Sequence, residues 1–190
     1  AEYVPVNLMP GHRENLSEDY LAMNPEGRVP ALATEFGVLG QSMAMIEWLE
    51  ETCPDPSLFP ETPWEKAKCR AFANTVACDI HPLANVGVLI ELRNRFGAEQ
   101  DAIADWHNGW IARGFMALEK QAAERDTEFL FGAYPTLAEI CLVPQIKNAR
   151  RMKMDLTDFP ALTEIEGKCY ELEAFDKARP ENQPDAPESN

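Results

Sequence analysis

Residues 54–63 read Pro-Asp-Pro-Ser-Leu-Phe-Pro-Glu-Thr-Pro, four prolines in ten positions. Proline has no N–H to donate and holds φ near one value, so neither a helix interior nor a central strand accepts such a run. The chain is therefore expected to divide there: residues 1–53, a linker over 54–63, a second domain over 64–178 and a tail over 179–190. The two sides differ in hydrophobic period. Ahead of the linker, residues 3–8 (Tyr-Val-Pro-Val-Asn-Leu) look like a short strand that stops at Pro10-Gly11. Leu16, Tyr20 and Met23 predict a turn or two of helix that ends at Asn24-Pro25. Residues 29–34 and 36–39 predict a β-hairpin, and Gln41-Ser42 opens a helix with Met45, Ile46 and Leu49 on its inner face. Behind the linker no strand is evident. Helical spacing covers residues 64–96 with a break near Pro82, the run from Ile103 to Leu118, residues 137–152, and the run from Leu162 to Leu172. Trp64, Trp106 and Trp110 read as core. The tail, with three prolines and no large apolar side chain, is expected to pack loosely.

Charge narrows the partners. Seventeen Lys and Arg stand against 32 Asp and Glu, a net charge of -15, whereas nucleic acids and anionic membranes require a basic footprint. Neither is expected as a partner. A small anion remains possible where positive contacts are local. The uninterrupted apolar runs fall short of the ~18–20 residues that span a bilayer, so no membrane segment is expected. Five cysteines, at 53, 69, 78, 141 and 169, are odd in number, widely spaced and set in apolar surroundings. They read as buried, reduced thiols of a cytoplasmic protein. His12, His81 and His107 are isolated and no Cys-x-x-Cys occurs, so no metal site is expected.

Two short patterns carry chemistry. Val29-Pro30 enters a strand and, if cis, turns the Val29 backbone toward a ligand, although an ordinary trans turn reads the same way. Gln41-Ser42 places a hydroxyl, unpaired N–H groups and the positive end of a helix together, which suits a carboxylate but also describes a simple serine cap. Thr136-Leu-Ala-Glu139 fits a capping box, a structural feature.

Taken in order, Asn24-Pro-Glu-Gly-Arg-Val-Pro30, Gln41-Ser-Met-Ala-Met-Ile-Glu-Trp-Leu-Glu-Glu51, the proline linker and the helical second half resemble a cytosolic glutathione transferase. Asp79-Ile-His-Pro-Leu-Ala-Asn85, Leu142-Val-Pro-Gln-Ile-Lys-Asn-Ala-Arg-Arg151, Asp155-Leu-Thr-Asp-Phe-Pro160 and Gln183-Pro-Asp185 sharpen the resemblance to the zeta class, the maleylacetoacetate and maleylpyruvate isomerases. It implies a thioredoxin-like α/β domain followed by an all-α domain, a homodimer, and glutathione as cofactor. It implies that Val29 pairs its backbone with the cysteinyl part of glutathione, beside the structural Pro30. Gln41 and Ser42 would take the γ-glutamyl carboxylate, and Asn15, or else His12, would lie near the glycyl end. The loop 9–14 departs from the family pattern.

The implied reaction, in aromatic compound catabolism, is cis–trans isomerisation of a maleyl-keto acid through reversible addition of the glutathione thiolate. Its substrates are small dianions. Arg151 is the expected ligand for a substrate carboxylate, with Arg150 beside it but facing away, since successive helical residues diverge. His81 and Asn85, four apart, are expected to line the site, His81 toward substrate and Asn85 toward glutathione; Val86 and Gly87 replace polar or basic residues of some relatives. The family's Ser-rich catalytic motif is not in this sequence. The resemblance implies that it lies upstream of Ala1, with a first strand and helix of ~20–25 residues absent from this chain. The catalytic group therefore stays unassigned. A glutathione transferase or dehalogenase acting on small haloacids, and a non-catalytic glutathione-transferase-like binding module, remain alternatives.

Overall fold

The computed structural model describes residues 2–9 and 11–186. Ala1, Pro10 and the last four tail residues, which enter the expectations above, lie outside the described residues. The chain forms two compact units, one of residues 1–56 with 184–190 and one of residues 57–183.

In the first unit a single 3-10 turn (Glu14–Leu16) runs into α1 (Glu18–Met23), capped by the Ser17 hydroxyl, which accepts from the Tyr20 N–H at 3.2 Å. A hairpin follows, β1 (Leu32–Thr34) antiparallel to β2 (Gly37–Leu39), with Leu32 opposite Leu39 and Thr34 opposite Gly37. Gly37 takes φ 128°, which a side chain would resist. Helix α2 (Ser42–Thr52) completes the unit. The strand expected over residues 3–8 is not formed. A strand exists only where a neighbour pairs with its backbone, and among the described residues the only ladder is β1–β2. Tyr20, Asn24, Gly27 and Met45 are its buried residues, and Tyr3 bonds Asp185 at 3.1 Å.

The second unit is helical. Thr62 caps α3 (Pro63–Asn74), with Pro63 in the first turn, where its missing N–H costs nothing. A π-helical turn (Thr75–Ile80) leads into the short α4 (His81–Ala84), and Asn85 caps α5 (Val86–Phe96) through its Oδ1, which accepts from Gly87 N–H at 2.9 Å. The break expected at Pro82 thus falls at Asn85: Pro82 sits in a first turn, and the widened turn before it spares the lost donor. Helices α6 (Gln100–Ala123), α7 (Leu137–Arg151), α8 (Pro160–Tyr170) and α9 (Glu173–Lys177) follow. Helix α7 packs on α3 and α8, and α6 packs on α4 and α8. Phe72, Phe115, Ile80, Ile111, Leu142, Ile146 and Leu162 fill the core, and Phe115 meets Phe159 edge to face at 5.5 Å. Thr136 and Glu139 form the expected capping box.

Other expectations change. Trp64 is 72% exposed, and Trp106 lies at the surface, donating its indole N–H to the Leu83 carbonyl and leaning on Trp110. Amphipathic indoles take such rims readily. All five cysteines are free, but only Cys69 and Cys169 are buried; Cys53 and Cys78 are exposed. The tail begins with structure: Pro180–Asn182 form a 3-10 turn, and Gln183 donates to the carbonyl of Lys177 at 2.8 Å. The run Pro63–Phe96, 34 residues, is long and apolar enough to cross a membrane by length and composition alone, contrary to expectation, although a π turn and Asn85 interrupt it.

Candidate functional site

The first unit builds a turn that fixes one short stretch of backbone. Gly27 adopts φ +60° and lies so close to Leu16 that an added Cβ would stand 2.9 Å from its Cδ2. The Asn15 amide donates to the Gly27 carbonyl at 2.7 Å. The next carbonyl, of Arg28, accepts from the Tyr20 hydroxyl at 2.7 Å and from the Asn24 amide at 2.8 Å. These donors are half-buried or buried, so they hold the chain firmly up to Arg28. Beyond it the Val29–Pro30 peptide is cis. Val29 is 39% exposed, and its N–H and C=O have no partner among the described residues. An open donor and acceptor on a fixed backbone suit a peptide-like ligand.

Beside this turn α2 begins. Gln41 holds φ 63°, a left-handed conformation that costs a non-glycine residue energy and often marks a functional position. No side chain caps α2, and Ser42 is exposed at its first position. The helix end therefore presents positive potential and a hydroxyl together, a fit for an anion. The Gln41 amide donates to Glu26 Oε2 at 2.6 Å, tying the helix start to the 24–28 turn. Glu26 is a residue that sequence reasoning missed. Its relation to Gln41 spans fifteen positions, and no local pattern announces it. Asn15, expected near a glycyl carboxylate, spends an amide hydrogen on Gly27, and His12 sits exposed in the preceding turn.

The second unit carries the remaining residues. Asn85 Nδ2 lies 3.4 Å from His81 Nε2, so the two polar tips do share one face, and Asn85 serves α5 as its cap at the same time. At the end of α7, Arg150 and Arg151 both line one groove of about 590 Å³ with Lys147, Asn148, Pro144 and Pro180. Both guanidinium stems reach this groove, as long side chains at a helix terminus can from adjacent positions. Their partners separate them. Arg150 pairs with the buried Glu166 at 2.5 Å, and Lys147 pairs with Glu181. Arg151 touches only the neutral Asn148 amide oxygen, at 3.0 Å, and has no carboxylate partner among the described residues. Glu139, wholly buried, takes the Thr136 N–H and hydroxyl at 2.7 and 2.8 Å and the Leu130 N–H at 2.6 Å. All of these are internal, and its work is structural.

The chain is similar to known proteins over most of its length. The family described as glutathione S-transferase, N-terminal domain, matches residues 1–57. The maleylpyruvate isomerase of a Ralstonia species is 44% identical over 187 residues, 97% of this chain and 87% of that protein. A holo structure of maleylpyruvate isomerase, described as a bacterial zeta-class glutathione S-transferase, superposes with a TM-score of 0.94 at 44% identity, covering 98% of this chain and 88% of that one. The maleylacetoacetate isomerase of Methylobacterium extorquens, solved with bound malonate and glutathione, gives a TM-score of 0.84 at 31% identity over 91% of this chain and 82% of that one.

Proposed function

This chain belongs to the zeta class of glutathione transferases, the maleylpyruvate and maleylacetoacetate isomerases, and from that premise we propose how its residues serve a glutathione-dependent cis–trans isomerisation of a maleyl-keto acid. Glutathione, when bound, supplies a nucleophilic thiol for reversible addition to the cis double bond. The first unit would hold it. Val29 offers its unpaired N–H and C=O to the peptide portion, and Ser42 with the uncapped end of α2 takes the γ-glutamyl end. The observation that carries this reading is the pairing of an open Val29 backbone with an uncapped helix start, each held by internal hydrogen bonds before any ligand arrives.

In the second unit Arg151 binds one carboxylate of the dianionic substrate. His81 and Asn85 offer a linked polar face of the second unit, His81 for the substrate and Asn85 for glutathione. Arg150, paired with the buried Glu166, serves the helix packing instead.

The same reading makes the protein a homodimer of the cytoplasm. Within the run Pro63–Phe96 an 18-residue window has a mean hydropathy of 1.3 and only 22% of it is buried. Val86 and Phe96 are 56% and 73% exposed. Large apolar side chains left at the surface are readily covered by a partner, and a second copy is the partner we infer; sedimentation giving the mass of one chain would exclude it. Five free thiols fit a reducing compartment.

The reaction is tested by following loss of maleylpyruvate and maleylacetoacetate with and without glutathione. Turnover that requires glutathione is expected. Turnover of a haloacid alone would move the activity to a dehalogenase, and glutathione binding without turnover of any of these would leave a binding module.

A further inference from the structure

Glutathione's γ-glutamyl end carries an α-ammonium as well as an α-carboxylate, so a helix start and a hydroxyl satisfy only half of it. Glu26 stands where the other half is needed. Its Oε2 accepts from Gln41 Nε2 at 2.6 Å, and its Oε1 lies about one van der Waals contact, 3.8 Å, from the position a Cβ on Gly40 would occupy. The Asn24 amide oxygen, which accepts from Glu26 N–H at 3.2 Å, fixes the Glu26 backbone. No cation pairs with Glu26 among the described residues. Because Gln41 spends an amide hydrogen on Glu26, its Oε1 is left as an acceptor.

We propose that Glu26 and Gln41 form an acceptor pair for the α-ammonium of the γ-glutamyl group, leaving the α-carboxylate to Ser42 and the first turn of α2. This divides between two subsites what the sequence assigned to Gln41 and Ser42 jointly, and it rests on the glutathione reading above. It also accounts for a carboxylate beside an anion site, where a lone negative charge would otherwise oppose binding. The pair selects a zwitterionic amino-acid end over a simple acid.

The test is a cycle of four affinities measured by calorimetry on the whole protein: wild type and Glu26→Gln, each with glutathione and with glutaryl-cysteinyl-glycine, which is glutathione without its amino group. Glu26→Gln keeps the shape and can still accept from Gln41. Wild type is expected to bind glutathione about fivefold more tightly than the deamino tripeptide, the upper range for an exposed ion pair. Glu26→Gln is expected to lose that preference and to bind the deamino tripeptide at least as tightly as wild type does, since the negative charge beside the anion site is gone. A wild type that binds glutathione but shows no preference overturns the proposal without any variant, as does a preference that survives in Glu26→Gln. A wild type that binds neither tripeptide overturns the glutathione site itself.

Discussion

Arg150 and Arg151 are identical side chains at adjacent positions with different duties, and what separates them is a buried carboxylate sixteen residues away. Replacing Arg151 by Ala is expected to raise the KM for the maleyl-keto acid about tenfold, one charge-assisted contact, with little change in thermal midpoint. Replacing Arg150 by Ala leaves Glu166 buried without its partner and is expected to cost roughly 1–2 kcal/mol of stability, held down because Arg150 is itself half exposed. Kinetics and melting curves on both variants check this; equal KM effects would show that the division is wrong. At this scale the sequence was readable where chemistry is local. The cis peptide at Val29-Pro30 and the helix start at Ser42 each have a signature of two or three neighbouring residues, one shared with an ordinary turn and a serine cap. Glu26 and the fate of Arg150 could not, since each is decided by a contact closed only by the fold.

At the scale of elements the helix starts were legible, because a cap is a matter of three or four residues: Thr136 with Glu139 is such a case. Helix α8 is the contrary case. Its own first residues offer no cap, and Glu119 on α6 reaches across to accept from the N–H groups of Ala161 and Leu162 at 2.8 and 3.0 Å. The π turn before α4 was equally hidden. It brings Ile80 against α6 at Gly114, where an added Cβ would overlap the Ile80 side chain. Gly114→Ala is therefore expected to destabilise the second unit by about 1–3 kcal/mol, the usual cost of overpacking, despite alanine's better helix propensity. Ile80→Ala, which alone empties a buried site at a cost of ~2–5 kcal/mol, should cost less in the Gly114→Ala background than in wild type. Urea unfolding measures both, and a Gly114→Ala protein more stable than wild type would show that α6 and the π turn are not in close register. The strand read over residues 3–8 failed for the opposite reason: β-branched composition permits a strand, but only a paired neighbour makes one.

For the whole molecule, the α-helical second half followed from hydrophobic period, while the depth of each cysteine did not. Burial pushes the thiols of Cys141 and Cys169 up to about 12 from an ordinary value near 9. The folded protein therefore keeps protons that the unfolded chain releases, so their contribution is full below pH ~9 and declines as pH rises toward 12. Stability is expected to fall in that window by up to about 1.4 kcal/mol per pH unit for each thiol. The double variant Cys141→Ala, Cys169→Ala should show a shallower decline in its urea midpoint between pH 8 and 11; an unchanged slope would assign alkaline loss to other groups. One last property follows from the bond between the Tyr3 hydroxyl and Asp185, 182 positions apart in one unit. The two ends of the chain are thereby partners within one unit, and Tyr3→Phe would open a ring that this contact closes across 182 positions.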